Sequence, residues 1–250
     1  MKKRLFLSVL LSLSAGLFNA APALGDPTPL RILVRADDAK FIGSGVGGLS
    51  ATVRDAETGR LLGSGRIEGG TGDTGALMSQ PARRGDTAVT PDSASLSLVL
   101  DIERPMRIEV EVTGPRAVLQ GRQRLETSLW LLPGQDRATT PLVLHLNGLL
   151  VDLAALLRGD DGLSVTAEVS MLCGCTISKD GPWPADDYAV TAVIYREGEV
   201  VARAPLAFTG ETSRFAGALP PVEGEGLLLE LQALQRSTGN AGVYREPLSR

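Results

Sequence analysis

Apolar residues recur at every second position through most of this chain, the period of a half-buried β-strand. On that pattern, strands are expected at 30–36, 49–55, 60–67, 95–102, 106–113 and 125–132 in the first half. The second half repeats the pattern at 163–171, 188–195, 199–208, 213–219, 227–234 and 243–248. Asp55-Ala56-Glu57-Thr58-Gly59 reads as a hairpin turn, with Gly59 free to take positive φ. Asn147-Gly148 carries the two-residue hairpin signal between strands 142–146 and 149–153. In that register Leu144 faces Val151 and Leu146 faces Leu149. Leu149 to Leu157 also fits a helical period, and the Asn-Gly pair decides for the hairpin. Arg158-Gly159-Asp160-Asp161-Gly162 then becomes a polar turn and the domain boundary.

Composition strengthens the strand reading. With 29 Gly, 15 Pro and 4% aromatic residues, the chain is densely punctuated and long helical patterns are scarce. The expected fold is all-β, two tandem antiparallel β-sandwich domains of immunoglobulin-like type at 26–157 and 158–250.

A signal peptide is expected at 1–25. Lys2-Lys3-Arg4 precede an apolar run from Leu5 to Phe18, and small residues follow at Ala21-Pro22-Ala23 and Gly25. The run is shorter than the ~20 residues of a spanning helix, and no later run approaches that length. The mature chain is thus expected in the periplasm or secreted, with no membrane span. Removing the leader leaves 22 basic and 29 acidic residues, a formal charge of −7. An acidic chain without a basic cluster is a poor nucleic-acid binder, so the expected partner is another extracytoplasmic protein.

Two segments resemble known families. Gly226 to Ala233, followed by Ser237-Thr238-Gly239-Asn240-Ala241-Gly242, resembles the end of bacterial immunoglobulin-like or fibronectin type III-like domains, whose last hairpin often turns through a Gly-Asn pair. The resemblance spans about the last ninety residues and implies a spacer, adhesion module or binding accessory. The inter-sheet cysteine pair of antibody domains is missing. Val53 to Leu61 resembles the opening hairpin of transthyretin-like or carboxypeptidase-regulatory-like sandwiches. Neither implies catalytic residues.

Candidate chemistry centres on Met171-Leu172-Cys173-Gly174-Cys175, which holds both cysteines. If alternation continues from the preceding strand, Met171, Cys173 and Cys175 share one face. Three readings follow. Cys173 and Cys175 form a disulfide, permitted outside the cytoplasm. Two extended residues would set their Cα atoms about 6.6 Å apart, and closing so short a loop stabilises by about 1.6 kcal/mol. Alternatively, both thiolates and the Met171 thioether hold copper as Cu(I), a soft ion suited to sulfur. Last, the pair is a thiol–disulfide exchange centre, with only Lys179 near enough to lower a thiol pKa. Trp183, between Pro182 and Pro184, and Tyr188 mark either a cap on the sandwich or a recognition surface beside the cysteines.

Other motifs point to turns. Gly43-Ser-Gly45-Val-Gly-Gly48 has the dinucleotide-binding spacing but runs into a strand where that motif needs a helix. Residues 68–93 form a long loop, either functional or mobile, and Arg84-Gly85-Asp86 within it reads as turn chemistry. Asp73, Asp37-Asp38 and Asp160-Asp161 are oxygen donors without the twelve-residue calcium pattern. His145, the only histidine, sits in a predicted strand with no nucleophile elbow in the chain. The leading expectation is a non-enzymatic binding or accessory module. A copper protein comes second and a thiol–disulfide redox protein third.

Overall fold

A computed structural model describes residues 27–80, 84–85 and 88–248. The expected signal peptide lies outside the described residues, as does Asp86 of the Arg-Gly-Asp triplet. The fold is all-β.

The first half contains β1 (Pro27–Ala36), β2 (Leu49–Asp55), β3 (Leu61–Ile67), β4 (Leu96–Asp101), β5 (Met106–Gly114), β6 (Gln123–Leu131) and β7 (Arg137–Leu146). They form a three-stranded sheet, β4-β1-β7, and a four-stranded one, β3-β2-β5-β6. Alternation does what the sequence suggests. Leu49, Ala51 and Val53 of β2, with Ile108, Val110 and Val112 of β5, point into one core shared with Leu30, Ile32 and Val34 of β1. Each buried Val, Leu or Ile among these contributes roughly 1.5–3 kcal/mol. β1 is covered on its other side as well, because Leu33 packs with Phe41 and Leu77 in a second, smaller cluster.

That second cluster revises the expectation for 68–93. Its described residues are not structureless. Glu68 bridges Ser95, Gly70 bridges Ser93, and a single helical turn at Gly75–Ser79 carries Leu77 inward. Arg35 fastens it by donating from Nη2 to the Leu77 carbonyl at 3.0 Å.

The second half contains β8 (Leu149–Gly159), β9 (Gly162–Met171), β10 (Tyr188–Arg196), β11 (Glu199–Phe208), β12 (Arg214–Leu219), β13 (Leu227–Gln235) and β14 (Ala241–Pro247). These make one seven-stranded sheet, β14-β13-β10-β11-β12-β9-β8. It curls until β14 and β8 approach, since a Cβ on Gly242 would collide with the Leu149 carbonyl. Between β11 and β12 only Ala207↔Ala216 and Phe208↔Phe215 are paired, so the sheet is weakly joined there.

The weak join exposes a repeat. β12-β9 pairs as β4-β1 does, and β11-β10-β13-β14 follows the order of β3-β2-β5-β6. The remaining position beside the central strand is filled differently. In the first half β7 lies parallel to β1, whereas in the second β8 lies antiparallel to β9.

This pairing corrects the expected Asn147-Gly148 hairpin. β7 pairs with β1 and β8 with β9, so Leu144 and Leu146 do not face Val151 and Leu149. Gly148 has φ of 139°, and a Cβ there would collide with the Gln123 side chain. The glycine serves a crossing between the two sets of strands instead of a tight turn. Leu149 to Leu157 is strand, and Asp160-Asp161 is the tip of the β8–β9 hairpin, closed by Gly159↔Gly162. The division expected at 157/158 falls inside that hairpin.

Candidate functional site

The two halves meet around Asp37-Asp38, which follows β1. Asp38 has φ of 52° and turns its groups toward the second half. Its carbonyl accepts from Trp183 Nε1 at 2.7 Å, and its carboxylate accepts from Gln235 Nε2 at 2.6 Å. Asn240, 2% exposed, completes the seam. Its Nδ2 donates to the Asp37 carbonyl at 3.1 Å, and its Oδ1 accepts from the Gly148 amide at 3.1 Å. The Gly-Asn turn that resembled immunoglobulin-like domains thus fastens one half to the other.

Beside this seam the cysteines lie in a tight turn. Strand β9 ends at Met171, whose carbonyl accepts from the Gly174 amide at 2.7 Å, and the Met171 amide then donates to Cys175 O at 3.0 Å. Gly174 takes φ of 78°, and a Cβ there would press on Val46. The expected continuation of alternation therefore fails. Met171, Leu172 and Cys173 are all buried in succession. The turn shortens the Cα separation of Cys173 and Cys175 to 5.4 Å and pairs them as a disulfide.

Met171 is turned to another task. Its thioether sulfur accepts from the Tyr188 hydroxyl at 2.9 Å inside the core. Burial, then the charges of Asp187 and Asp38, push the Tyr188 hydroxyl well above its ordinary pKa. It stays a neutral donor. Trp183 and Tyr188 are 5% and 4% exposed, so both are packed into the fold instead of standing out from it.

What remains open to solvent is a cleft of ≈ 390 Å³ at the junction. Lys40, Gly45 and Thr71 come from the first half, while Cys173 to Thr176 and Trp183 come from the second. Lys40 is held by donating to Thr74 Oγ1 at 3.0 Å and to the Gly72 carbonyl at 3.4 Å. The site offers one cation, two threonines and the turn that carries the cysteine pair.

The other sequence candidates are dispersed. Asp73 caps the Gly75–Ser79 turn by accepting from the Ala76 amide, Asp160-Asp161 tips a hairpin, and His145 faces solvent 3.3 Å from Asp37. Among the described residues, no three His, Cys, Asp or Glu side chains converge as a metal-binding group. Sequence reasoning missed Gln235, whose signal is only a polar residue at a strand end, and read Asn240 only as part of a turn. It also missed Trp130, 59% exposed on β6.

No family model matches the chain, and no curated protein does. Among solved structures, it is similar at a TM-score of 0.20 to the fimbrial anchor protein Mfa2 from Porphyromonas gingivalis, with 11% identity over 89% of this chain and 82% of that one.

Proposed function

We propose that this chain is an extracytoplasmic, non-enzymatic binding or accessory module built from two immunoglobulin-like β-sandwich units in tandem, which meet at Asn147-Gly148. The repeated strand order supports two units, and the basic, apolar, small-residue order of its first 25 residues supports export. One observation carries the binding role. The cleft at the junction draws its walls from both units, and the groups around it are fixed by Trp183, Asn240 and the Cys173–Cys175 turn. A preformed recess between units is a common place for recognition. Its partner is another extracytoplasmic protein. Trp183 acts in this reading as a wall, with Tyr188 supporting the turn from beneath. The copper reading requires reduction of the cysteine pair and release of Met171 from Tyr188.

A photo-crosslinking residue at Thr176, with one at exposed Val200 as control, tests this in producing cells after fractionation. The expected result is a discrete adduct from Thr176 alone, in the extracytoplasmic fraction, abolished by Thr71→Trp filling the cleft. Equal adducts from both positions, or a chain confined to the cytoplasm, would sink the reading.

A further inference from the structure

A second recess lies on the outer face of the β3-β2-β5-β6 sheet, away from the cysteines. It measures ≈ 630 Å³ and is lined by Glu57, Arg107, Glu109, Glu126, Ser128 and Trp130 among others. Cavities of this size suit a small organic ligand. Trp130 stands directly across from Arg107, and Ser128 across from Glu109. A smaller recess of ≈ 70 Å³ adjoins and shares Glu57, Arg107 and Trp130. Space therefore opens at more than one side of the indole.

The walls are fixed before any ligand arrives. The 55–59 turn is held by Asp55 Oδ1, which accepts from the amides of Glu57 at 2.9 Å and Thr58 at 3.3 Å. The Ala56 amide docks on the Arg107 carbonyl at 2.9 Å. Arg107 Nη2 in turn donates to Ser128 Oγ at 3.0 Å. Arg124 clamps Glu126 at 3.1 Å and Glu111 at 3.0 Å. Polar groups already oriented lose little freedom on binding.

The lining selects a ligand class. Glu57, Glu109 and Glu126 outnumber Arg107, so the recess repels phosphates, carboxylates and nucleotides. Hydrogen bonding and repulsion from Glu126 raise the Glu109 carboxyl above its ordinary value. Donors and acceptors both line the recess beside one flat apolar ring. A pyranose has that chemistry: hydroxyls that donate and accept at its rim, and a face of C–H groups attracted by the negative face of an indole. One ring does not make the aromatic cage typical of cation recognition.

We propose that this outer face binds a neutral saccharide, with one sugar ring stacked on Trp130 and its hydroxyls bonded to Glu57, Arg107 and Glu126. The full chain is titrated with neutral trisaccharides of gluco-, manno-, galacto- and xylo-configuration, by calorimetry and by tryptophan fluorescence. At least one binds. Trp130→Ala weakens it tenfold or more, Trp130→Phe weakens it less, and Val200→Ala on the remote β11 leaves it unchanged. Because Trp130 is exposed, circular dichroism of Trp130→Ala should match the parent. Three results would overturn the proposal: no trisaccharide bound at millimolar concentration, affinity unchanged in Trp130→Ala, or a lysine-rich peptide bound at Trp130 where the sugars are not.

Discussion

The indole Nε1 of Trp183 donates to the carbonyl of Asp38 at 2.7 Å, joining residues 145 positions apart. The same Asp38 accepts from Gln235 through its carboxylate, so one turn residue holds the β9–β10 connection and the end of β13 together. Trp183→Phe keeps most of the ring's packing and removes the donor. Asp38 is exposed, so losing this hydrogen bond should cost about 0.5–1.5 kcal/mol. Urea unfolding followed by far-UV circular dichroism measures it. An unchanged midpoint would show that this bond does not contribute to coupling the halves.

Asn240 makes a sharper case, because its amide is used at both ends. It donates to Asp37 O and to Gln235 Oε1, at 3.1 and 3.0 Å, and accepts from Gly148 N. Asn240→Asp replaces the donating end with a second acceptor facing two acceptors. The expected loss exceeds that of Asn240→Ala, and for the alanine variant alone is about 1–3 kcal/mol from stranded buried groups. Equal stability of the parent and Asn240→Asp proteins by calorimetry would refute the role given to this side chain.

The strands were legible because alternation is strict where one face of a sheet is buried. Leu49-Ser-Ala-Thr-Val-Arg-Asp55 shows its core face in plain text. Asn147-Gly148 misled because a glycine at positive φ serves a hairpin and a chain crossing equally well, and only strand pairing separates the two. The cysteine turn misled for a related reason. Extrapolated alternation assumed a strand beyond Met171, while the Met171–Gly174 hydrogen bond bends the chain there. Trp130 was readable: in 123–131 it falls in phase with Arg124, Glu126 and Ser128, on the outward face. The seam was not readable, since Asp38, Trp183 and Gln235 come from distant parts of the chain and no local period records their meeting.

Cys173 and Cys175 give a prediction that also separates the sulfur readings. Intact mass of protein purified from its own compartment should be two hydrogens below the reduced value, with no thiol titratable. Replacing both by serine should cost about 1.6 kcal/mol if chain entropy alone acts across so short a loop, which is small beside the core. Two free thiols with about one copper per chain would instead favour metal handling, with Met171 exchanging its Tyr188 hydrogen bond for the ion.

Acid sensitivity should be concentrated at Glu230, a carboxylate 5% exposed on β13. Burial pushes its pKa up, but hydrogen bonds from Gln232 and Arg245, the Arg245 charge and a hydrogen bond from Tyr195 outweigh that and leave it below its ordinary value. Arg245 Nε and Gln232 Nε2 each approach within 2.6 Å. A carboxylate held low contributes stability above its unfolded pKa and loses it as pH falls through the folded one. Glu230→Gln should therefore lower stability at pH 7 by about 1.5–3 kcal/mol, as for hydrogen bonds to a charged group. The variant should also lose less than the parent between pH 5 and about pH 2, below the ordinary glutamate range. Some acid loss should persist in the variant, because the Glu57 amide and Thr58 hold Asp55 low, and hydrogen bonds from Thr139 and Ala138 hold Asp136 low. Parallel stability–pH curves for parent and variant would remove Glu230 as the source. Convergence of the two at acid pH would identify the Glu230–Arg245 pair as the contact that acid dissolves.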